Sequence, residues 1–206
     1  LKLMVEAGLI ERFREGSWVY FHISDRSAGG RLALRLLAHV DPADADARRD
    51  RERADALKRD REAAAQKFFR EHAADWDRIR ALHVSETDVE AAMLNALGPG
   101  PFSFLVDLGT GTGRALELLG GRYTRALGID VNQAMLTYAR ARLAKSGNAN
   151  AQVRHGDIYA LSLQDQSADA VIMHQVLHFL SDPALAIREA ARVLKPGGKL
   201  LIVDFA

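Results

Sequence analysis

From Asp107 to Arg114 the chain reads Asp-Leu-Gly-Thr-Gly-Thr-Gly-Arg, so Gly109, Gly111 and Gly113 fall at every second position behind a carboxylate. Glycines at this spacing let the backbone close on a ligand where a Cβ would stand in the way, and let it reach positive φ. A helical pattern begins at Arg114, and a helix start offers unpaired N–H groups to polar or anionic groups. The stretch therefore reads as a binding loop.

Its details narrow the ligand. A dinucleotide fingerprint, G-x-G-x-x-G, wants its third glycine where Arg114 stands, and no G-x-x-x-x-G-K-[ST] occurs in the chain. Pyrophosphates and nucleoside triphosphates are thus disfavoured. Asp107 would repel a phosphate but can hold an ammonium group. Asp130, at the end of Arg125-Ala-Leu-Gly-Ile-Asp130 and 21 residues after Gly109, can accept both hydroxyls of a ribose. A ribose joined to a cationic amino acid suggests S-adenosylmethionine.

Proton transfer, where an acceptor needs it, has two candidates in Met173-His174-Gln175-Val176-Leu177-His178, since an imidazole titrates near neutral pH. The spacing of His174 and His178 would also suit a metal pair on a helix. Neither a third ligand nor a cysteine accompanies them, and no metal is expected.

These residues need strands and helices to hold them. Apolar runs predict strands over 102–108, 125–130, 151–155, 168–174 and 199–205, alternating with helices over 114–119, 132–145 and 182–194. Such alternation predicts an α/β, Rossmann-like doubly wound parallel sheet, with ligands at the carboxyl ends of its strands. A further amphipathic helix over 87–97 is stopped by Gly98-Pro99-Gly100-Pro101.

Val106 to Gly113, Gly128-Ile129-Asp130, Gly156-Asp157-Ile158 and Arg192 to Gly198, in that order, resemble the motif series of class I S-adenosylmethionine-dependent methyltransferases. The resemblance implies methyl transfer to a small-molecule acceptor, with S-adenosylhomocysteine as product. It places Gly109, Thr110 and Gly111 along the amino acid part of the cofactor, Asp107 on its ammonium and Asp130 on its ribose. Val131 and Met135 would pack near the adenine. Gly156 and Asp157 would meet the adenine amino group, and the Ile158 N–H the ring. His174 and Gln175 would line the pocket near the methyl. Asp157 also reads as a turn residue and Met135 as plain core. Gln66 to Ala81, with Phe68, Phe69, His72 and Trp76, resembles the lead-in helix of ubiquinone-biosynthesis-like methyltransferases, part of a lid, or else a helix using Phe69 and Trp76 as core.

Ahead of this lies a different text. Leu1 to Leu9 has helical spacing, and Ile10–Glu15 and Ser17–Ile23 read as a hairpin around Glu15-Gly16. The wording from Leu1 to Phe21 resembles the recognition-helix end and wing of ArsR-type transcriptional regulators. That implies DNA binding, with Lys2, Arg12 and Arg14 on phosphates. Leu32, Leu36, Leu37 and Val40 resemble a dimerisation helix, hence a homodimer. From Asp46 to Glu62, 13 of 17 residues are charged, seven basic and six acidic, which predicts a solvated helical linker.

Residues 1–40 thus read as a partial winged helix with its dimerisation helix, 41–65 as the linker, and 66–206 as the methyltransferase domain. Leu1 already sits in a helical pattern and Ala206 follows directly on a strand, so both ends read as cut. Among 206 residues there is no cysteine, which excludes disulfides, thiolate metal sensing and thiol chemistry within the chain. Net charge is +1, so any basic surface must be local. No apolar run is long enough to span a bilayer and no signal peptide is seen, so the default is a cytoplasmic protein. The competing reading is a non-catalytic domain that senses S-adenosylmethionine or S-adenosylhomocysteine to control DNA binding.

Overall fold

The computed structural model describes residues 1–15, 18–25, 27–41, 43–81 and 85–204. Its chain divides into two compact units, Leu1–Leu57 and Lys58–Ala206.

In the first unit, α1 (Lys2–Glu6) runs into Gly8, whose φ of +66° ends the helix. Strands β1 (Glu11–Glu15) and β2 (Trp18–His22) pair antiparallel, from Glu11 opposite His22 to Glu15 opposite Trp18. Of the turn expected around Glu15-Gly16, Gly16 lies outside the described residues. Helix α2 (Ala28–Leu37) begins earlier than its apolar pattern, because the Ser27 hydroxyl accepts from the Gly30 N–H at 2.9 Å and caps it. Leu32, Leu36, Leu37 and Val40 are all exposed.

Linker and lead-in helix turn out to share one element, α3 (Ala45–His72). Neither glycine nor proline interrupts that stretch, and its Ala, Arg, Lys and Glu residues all favour helix, so the loss of charge near residue 65 changes what the helix faces without ending it. The expected helix to Ala81 instead breaks after His72 and resumes as α4 (Trp76–Ala81).

In the second unit, α5 (Glu86–Leu97) precedes a sheet of five strands: β3 (Phe102–Leu108), β4 (Tyr123–Asp130), β5 (Ala151–His155), β6 (Ala168–His174) and β7 (Leu194–Val203). Their order is β5-β4-β3-β6-β7 and every pairing is parallel. The connecting helices are α6 (Arg114–Leu118), α7 (Gln133–Lys145) and α8 (Pro183–Val193). Strand β7 begins five residues before its expected start. The Lys-Pro-Gly-Gly stretch is absorbed as a bulge, with Gly197 at φ +76° and the register jumping between Ala168 opposite Leu194 and Ala170 opposite Lys199.

Strand β3 is buried on both faces, as the centre of a parallel sheet must be. Leu105 joins Met93, Leu97, Leu116 and Leu136 under α5, α6 and α7, while Phe104, Val106 and Leu108 join Val171, Ala186 and Val193 under α8. Truncating a fully buried leucine in such a layer costs about 2–5 kcal/mol. The carboxyl end of α5 is held to the sheet by cations: Arg122 Nη1 donates to Gly98 O at 2.7 Å and Lys199 Nζ to Leu97 O at 2.7 Å. The sheet grows outward in opposite directions from β3, so a crevice opens beside the carboxyl ends of β3 and β6.

Candidate functional site

In that crevice lies a cavity of about 410 Å³. Its floor is the loop after β3. Gly109 takes φ +72°, and a Cβ there would lie 2.4 Å from Val176 Cγ2, so this position excludes any side chain. Gly111, at φ +53°, turns its N–H onto Asp130 Oδ2 at 2.8 Å. Thr110 Oγ1 donates to Asp107 Oδ2 at 2.6 Å, and both residues are buried. The Asp107 charge is felt nearby: burial, and then the Asp107 carboxylate, push the Tyr123 hydroxyl up to about 12.

At the end of β4, Asp130 accepts backbone N–H groups on both oxygens, from Gly111 on Oδ2 and from Asn132 on Oδ1 at 2.8 Å, with the Val131 N–H acting on it as well. Burial pushes its carboxyl above the ordinary value, against the pull of those N–H groups and of His155. Val131 and Met135 both line the cavity, the first 44% exposed and the second buried. After β5 come Gly156, Asp157 and Ile158. Asp157 Oδ1 accepts from the Tyr159 N–H at 2.9 Å, so it is a turn residue and a lining residue together.

His174 and Gln175 line the cavity from the end of β6. Gln175 adopts φ +51°, an uncommon conformation for a residue with a side chain, and its N–H donates to Val203 O at 2.7 Å. The four-residue spacing does not stack the two histidines on one helix. His178 lies in a 3₁₀ turn, Leu177–Phe179, with Nδ1 2.5 Å from Asp204 Oδ1, and is not among the residues lining the cavity. Among the described residues no group of three or more His, Cys, Asp or Glu side chains could hold a metal ion.

All the residues expected to bind a cofactor therefore face one cavity. Lys2, Arg12 and Arg14 lie in the first unit and are exposed there; Lys2 pairs with Glu6 at 3.8 Å.

Of the opposite wall, sequence reasoning reached Phe69 and Trp76 as one of two readings and missed the parts of Glu62, Asn132 and Phe179. The last turns of α3 contribute Glu62, Gln66 and Phe69, and α4 contributes Trp76. Glu62 Oε1 accepts from the Tyr159 hydroxyl at 2.9 Å and the Ser181 N–H at 2.8 Å. Burial alone would raise its carboxyl, but donation from Ser181 and Tyr159 outweighs that and holds it below the ordinary value. Asn132 joins the two walls: its Oδ1 caps α7, and its Nδ2 donates to Gln66 O at 3.1 Å and Gln66 Oε1 at 3.2 Å. Only the cap could be read in advance, as an Asn before a helical pattern. Phe69 meets Trp76 edge-on at 4.9 Å and Phe179 at 4.7 Å. Both rings line the cavity and pack on each other there.

Arg114, which replaced the dinucleotide glycine, lines the cavity with its guanidinium engaged by carboxylates. Its Nε and Nη2 fork onto Glu90 at 2.6 and 2.8 Å, and Nη1 donates to Glu117 at 2.7 Å. The Glu90 hydrogen bond, first of these, raises the already high pKa of the guanidinium. The exit of the glycine loop is thereby tied to α5, a link that no local pattern announces.

Residues 106–202 match the family described as methyltransferase domain. Over 156 residues the chain is 31% identical to a demethylmenaquinone methyltransferase of Clavibacter sepedonicus, covering 75% of this chain and 62% of that protein. Over 116 residues it is 40% identical to an uncharacterized 37.1 kDa transposon protein of Streptomyces fradiae, covering 55% of this chain and 33% of that one. A solved structure of an S-adenosylmethionine-dependent methyltransferase from Aquifex aeolicus superposes with a TM-score of 0.53 at 28% identity, over 63% of this chain and 72% of that one. The chain spans from 33% to 60% of the length of the first curated relatives it matches. Strand order, loop chemistry and sequence match agree in likening residues 106–202 to the class I S-adenosylmethionine-dependent methyltransferases.

Proposed function

We propose that the protein transfers a methyl group from S-adenosylmethionine to a small-molecule acceptor. The observation that carries this reading is the single cavity that gathers Asp107, the glycine loop, Asp130, Asp157 and His174 at the carboxyl ends of four parallel strands. The lining suits the cofactor. Beyond the backbone N–H groups of Gly111, Asn132 and Val131, the two Asp130 oxygens keep lone-pair capacity for a ribose hydroxyl. Glycine at 109 lets the loop lie directly against Val176, where a Cβ would meet Cγ2 at 2.4 Å.

When bound, S-adenosylmethionine supplies a methyl group on a sulfonium, whose leaving group departs as neutral S-adenosylhomocysteine. Asp107, held by Thr110, takes the ammonium. Asp130 takes the ribose hydroxyls, and Val131 and Met135 flank the adenine between them. Asp157 and the Ile158 N–H read its polar edge. His174, at the strand end, receives the proton that the acceptor loses, and the rings of Phe69, Trp76 and Phe179 exclude water. Catalysis then rests chiefly on alignment.

The same reading makes the whole protein a cytoplasmic, homodimeric ArsR-like regulator. What supports it is a helix followed by an antiparallel hairpin, with Arg12 and Arg14 exposed two residues apart on β1, and the exposed apolar side chains of α2 and Val40. Among the described residues no helix is long and apolar enough to cross a membrane. Sensing of S-adenosylmethionine or S-adenosylhomocysteine without chemistry is the second reading. It is favoured by α3, a single helix that runs from Ala45 to the cavity-lining Phe69 and beyond.

Calorimetric titration of the full-length protein with S-adenosylmethionine and S-adenosylhomocysteine tests the site. Binding that disappears in Asp130→Ala supports it, and no binding by the intact protein refutes it. Transfer of labelled methyl to a metabolite pool then separates catalysis from sensing. For DNA, fluorescence anisotropy with duplex should lose affinity and salt dependence in Arg12→Ala/Arg14→Ala.

A further inference from the structure

We propose that Asn132 is a positioning residue that fastens the α3 wall to the carboxylate holding the ribose, so that cofactor occupancy and seating of the wall reinforce each other. The inference rests on the methyl-transfer reading and adds to its site a residue outside the cavity lining.

Asn132 is 3% exposed and is not among the residues lining the cavity. Its main-chain N–H donates to Asp130 Oδ1 at 2.8 Å, and its carbonyl accepts the first helical bond of α7, from the Leu136 N–H at 3.1 Å. Its side-chain Oδ1 accepts from the N–H groups of Ala134 at 3.1 Å and Met135 at 3.3 Å. Its Nδ2 reaches 66 residues back to α3 and donates to Gln66 O at 3.1 Å and Gln66 Oε1 at 3.2 Å. Three of the residues so joined, Asp130, Met135 and Gln66, do line the cavity.

Capping alone does not account for this residue. A helix start needs an acceptor, and serine, threonine or aspartate supplies one in place of asparagine. The amide donor is surplus to the cap, and in a buried position it needs a partner of its own. Helix α3 provides that partner. Seating α3 therefore satisfies a group on the same residue whose N–H holds the ribose carboxylate, and lifting α3 strands it.

Coupling follows from this geometry. Asp130, once its remaining lone pairs are taken by the ribose, holds the Asn132 N–H in one place and with it the direction of Nδ2. Helix α3, seated on Nδ2, then brings Gln66 and Phe69 against the cavity. Linkage is reciprocal: whatever factor the cofactor adds to the seating of α3, the seated α3 adds to the affinity for the cofactor.

The test combines hydrogen exchange with stopped-flow release of S-adenosylhomocysteine, comparing the native full-length protein with Asn132→Ser, which keeps a capping acceptor and loses the reach to Gln66. In the native protein S-adenosylhomocysteine should slow amide exchange in the first turn of α7 and over residues 62–72. In Asn132→Ser the slowing at α7 should remain and the slowing over 62–72 should be lost. Release should be about tenfold faster, as for the loss of two hydrogen bonds, with the urea midpoint little changed. Gln66→Leu leaves the sheet and the cap intact and gives a second reading. Its effect on release should shrink by about half or more when made in Asn132→Ser, since the two side chains act through one link.

Equal protection of 62–72 in the native protein and Asn132→Ser overturns the proposal, as do effects of Asn132→Ser and Gln66→Leu on release that simply add. So does an Asn132→Ser variant that unfolds more easily yet releases at the native rate, for the residue would then be a cap only. If Asn132→Ser does not fold, Gln66→Leu decides by itself: protection of 62–72 should fall while that of α7 stays, and full protection of both overturns the link. If S-adenosylhomocysteine does not bind the native protein, the cofactor reading falls and the link is read apart from it. Exchange over 62–72 without ligand should then be about tenfold faster in Asn132→Ser, and an unchanged rate removes the link as well.

Discussion

The two walls of the cavity are built by opposite means. On the strand side, groups are fixed by backbone: Gly111 N–H on Asp130, Asn132 N–H on Asp130, and the Gly109 backbone pressed against Val176. On the α3 side, single side chains reach across long stretches of chain, as from Glu62 to Ser181, Gln66 to Asn132 and Phe69 to Phe179. The first wall is rooted in fully buried strands, and local opening there requires breaking the core. The second is held by a few contacts and can open at lower cost.

The contrast is tested most strongly at Asp130. Asp130→Ala should weaken S-adenosylhomocysteine by about a hundredfold, as expected when two charge-assisted hydrogen bonds are lost. Asn at this position should retain part of the affinity in calorimetry, and an unchanged constant in the alanine variant would place the ribose elsewhere. Gly109→Ala should come next. Its positive φ and the 2.4 Å approach to Val176 predict a loss of about 1–3 kcal/mol in denaturant unfolding. Adding Val176→Ala should recover the part due to contact and leave the part due to φ.

A third test uses pH. Burial raises the Asp130 carboxyl, so protonation favours the fold, and the ionised group costs stability above its ordinary value, a cost relieved as pH falls through the raised value. Cofactor binding runs the other way, because the protonated acid loses acceptor capacity for the ribose. S-adenosylhomocysteine affinity should fall on acidification at a pH above the usual aspartate range, and Asp130→Asn should flatten that profile.

Glu62→Ala should have the smallest effect, about 1–2 kcal/mol, because it unpairs one backbone N–H and one hydroxyl without touching the sheet. Stopped-flow release of S-adenosylhomocysteine should accelerate more than the equilibrium constant changes. A loss as large as that of Asp130→Ala would mean that the two walls are one cooperative structure.

Much of the strand wall was legible in advance. The glycine spacing, the carboxylates at 107, 130 and 157, and the apolar runs sit within local windows, and period and turn chemistry report on local windows. The start of β7 shifted because a non-local partner decided it: pairing with β6 drew Lys195 to Gly198 into the strand, whereas the early start of α2 came from a local cap, Ser27 on Gly30. The separation of His174 from His178 was equally hidden, since it depends on Asp204, 26 residues farther along.

By itself the sequence determined that a parallel sheet would present a glycine loop and three acidic strand ends to one ligand, because alternation of strands and helices allows few other topologies. It also determined that the charged stretch after Asp44 would be helical, from propensity alone. The tertiary structure alone decided that the same helix continues into the cavity wall, that Arg114 turns to Glu90, and that Phe69, Trp76 and Phe179 form one aromatic surface. Those outcomes depend on contacts between segments tens of residues apart, whose register is fixed only when the sheet has set the distances between them.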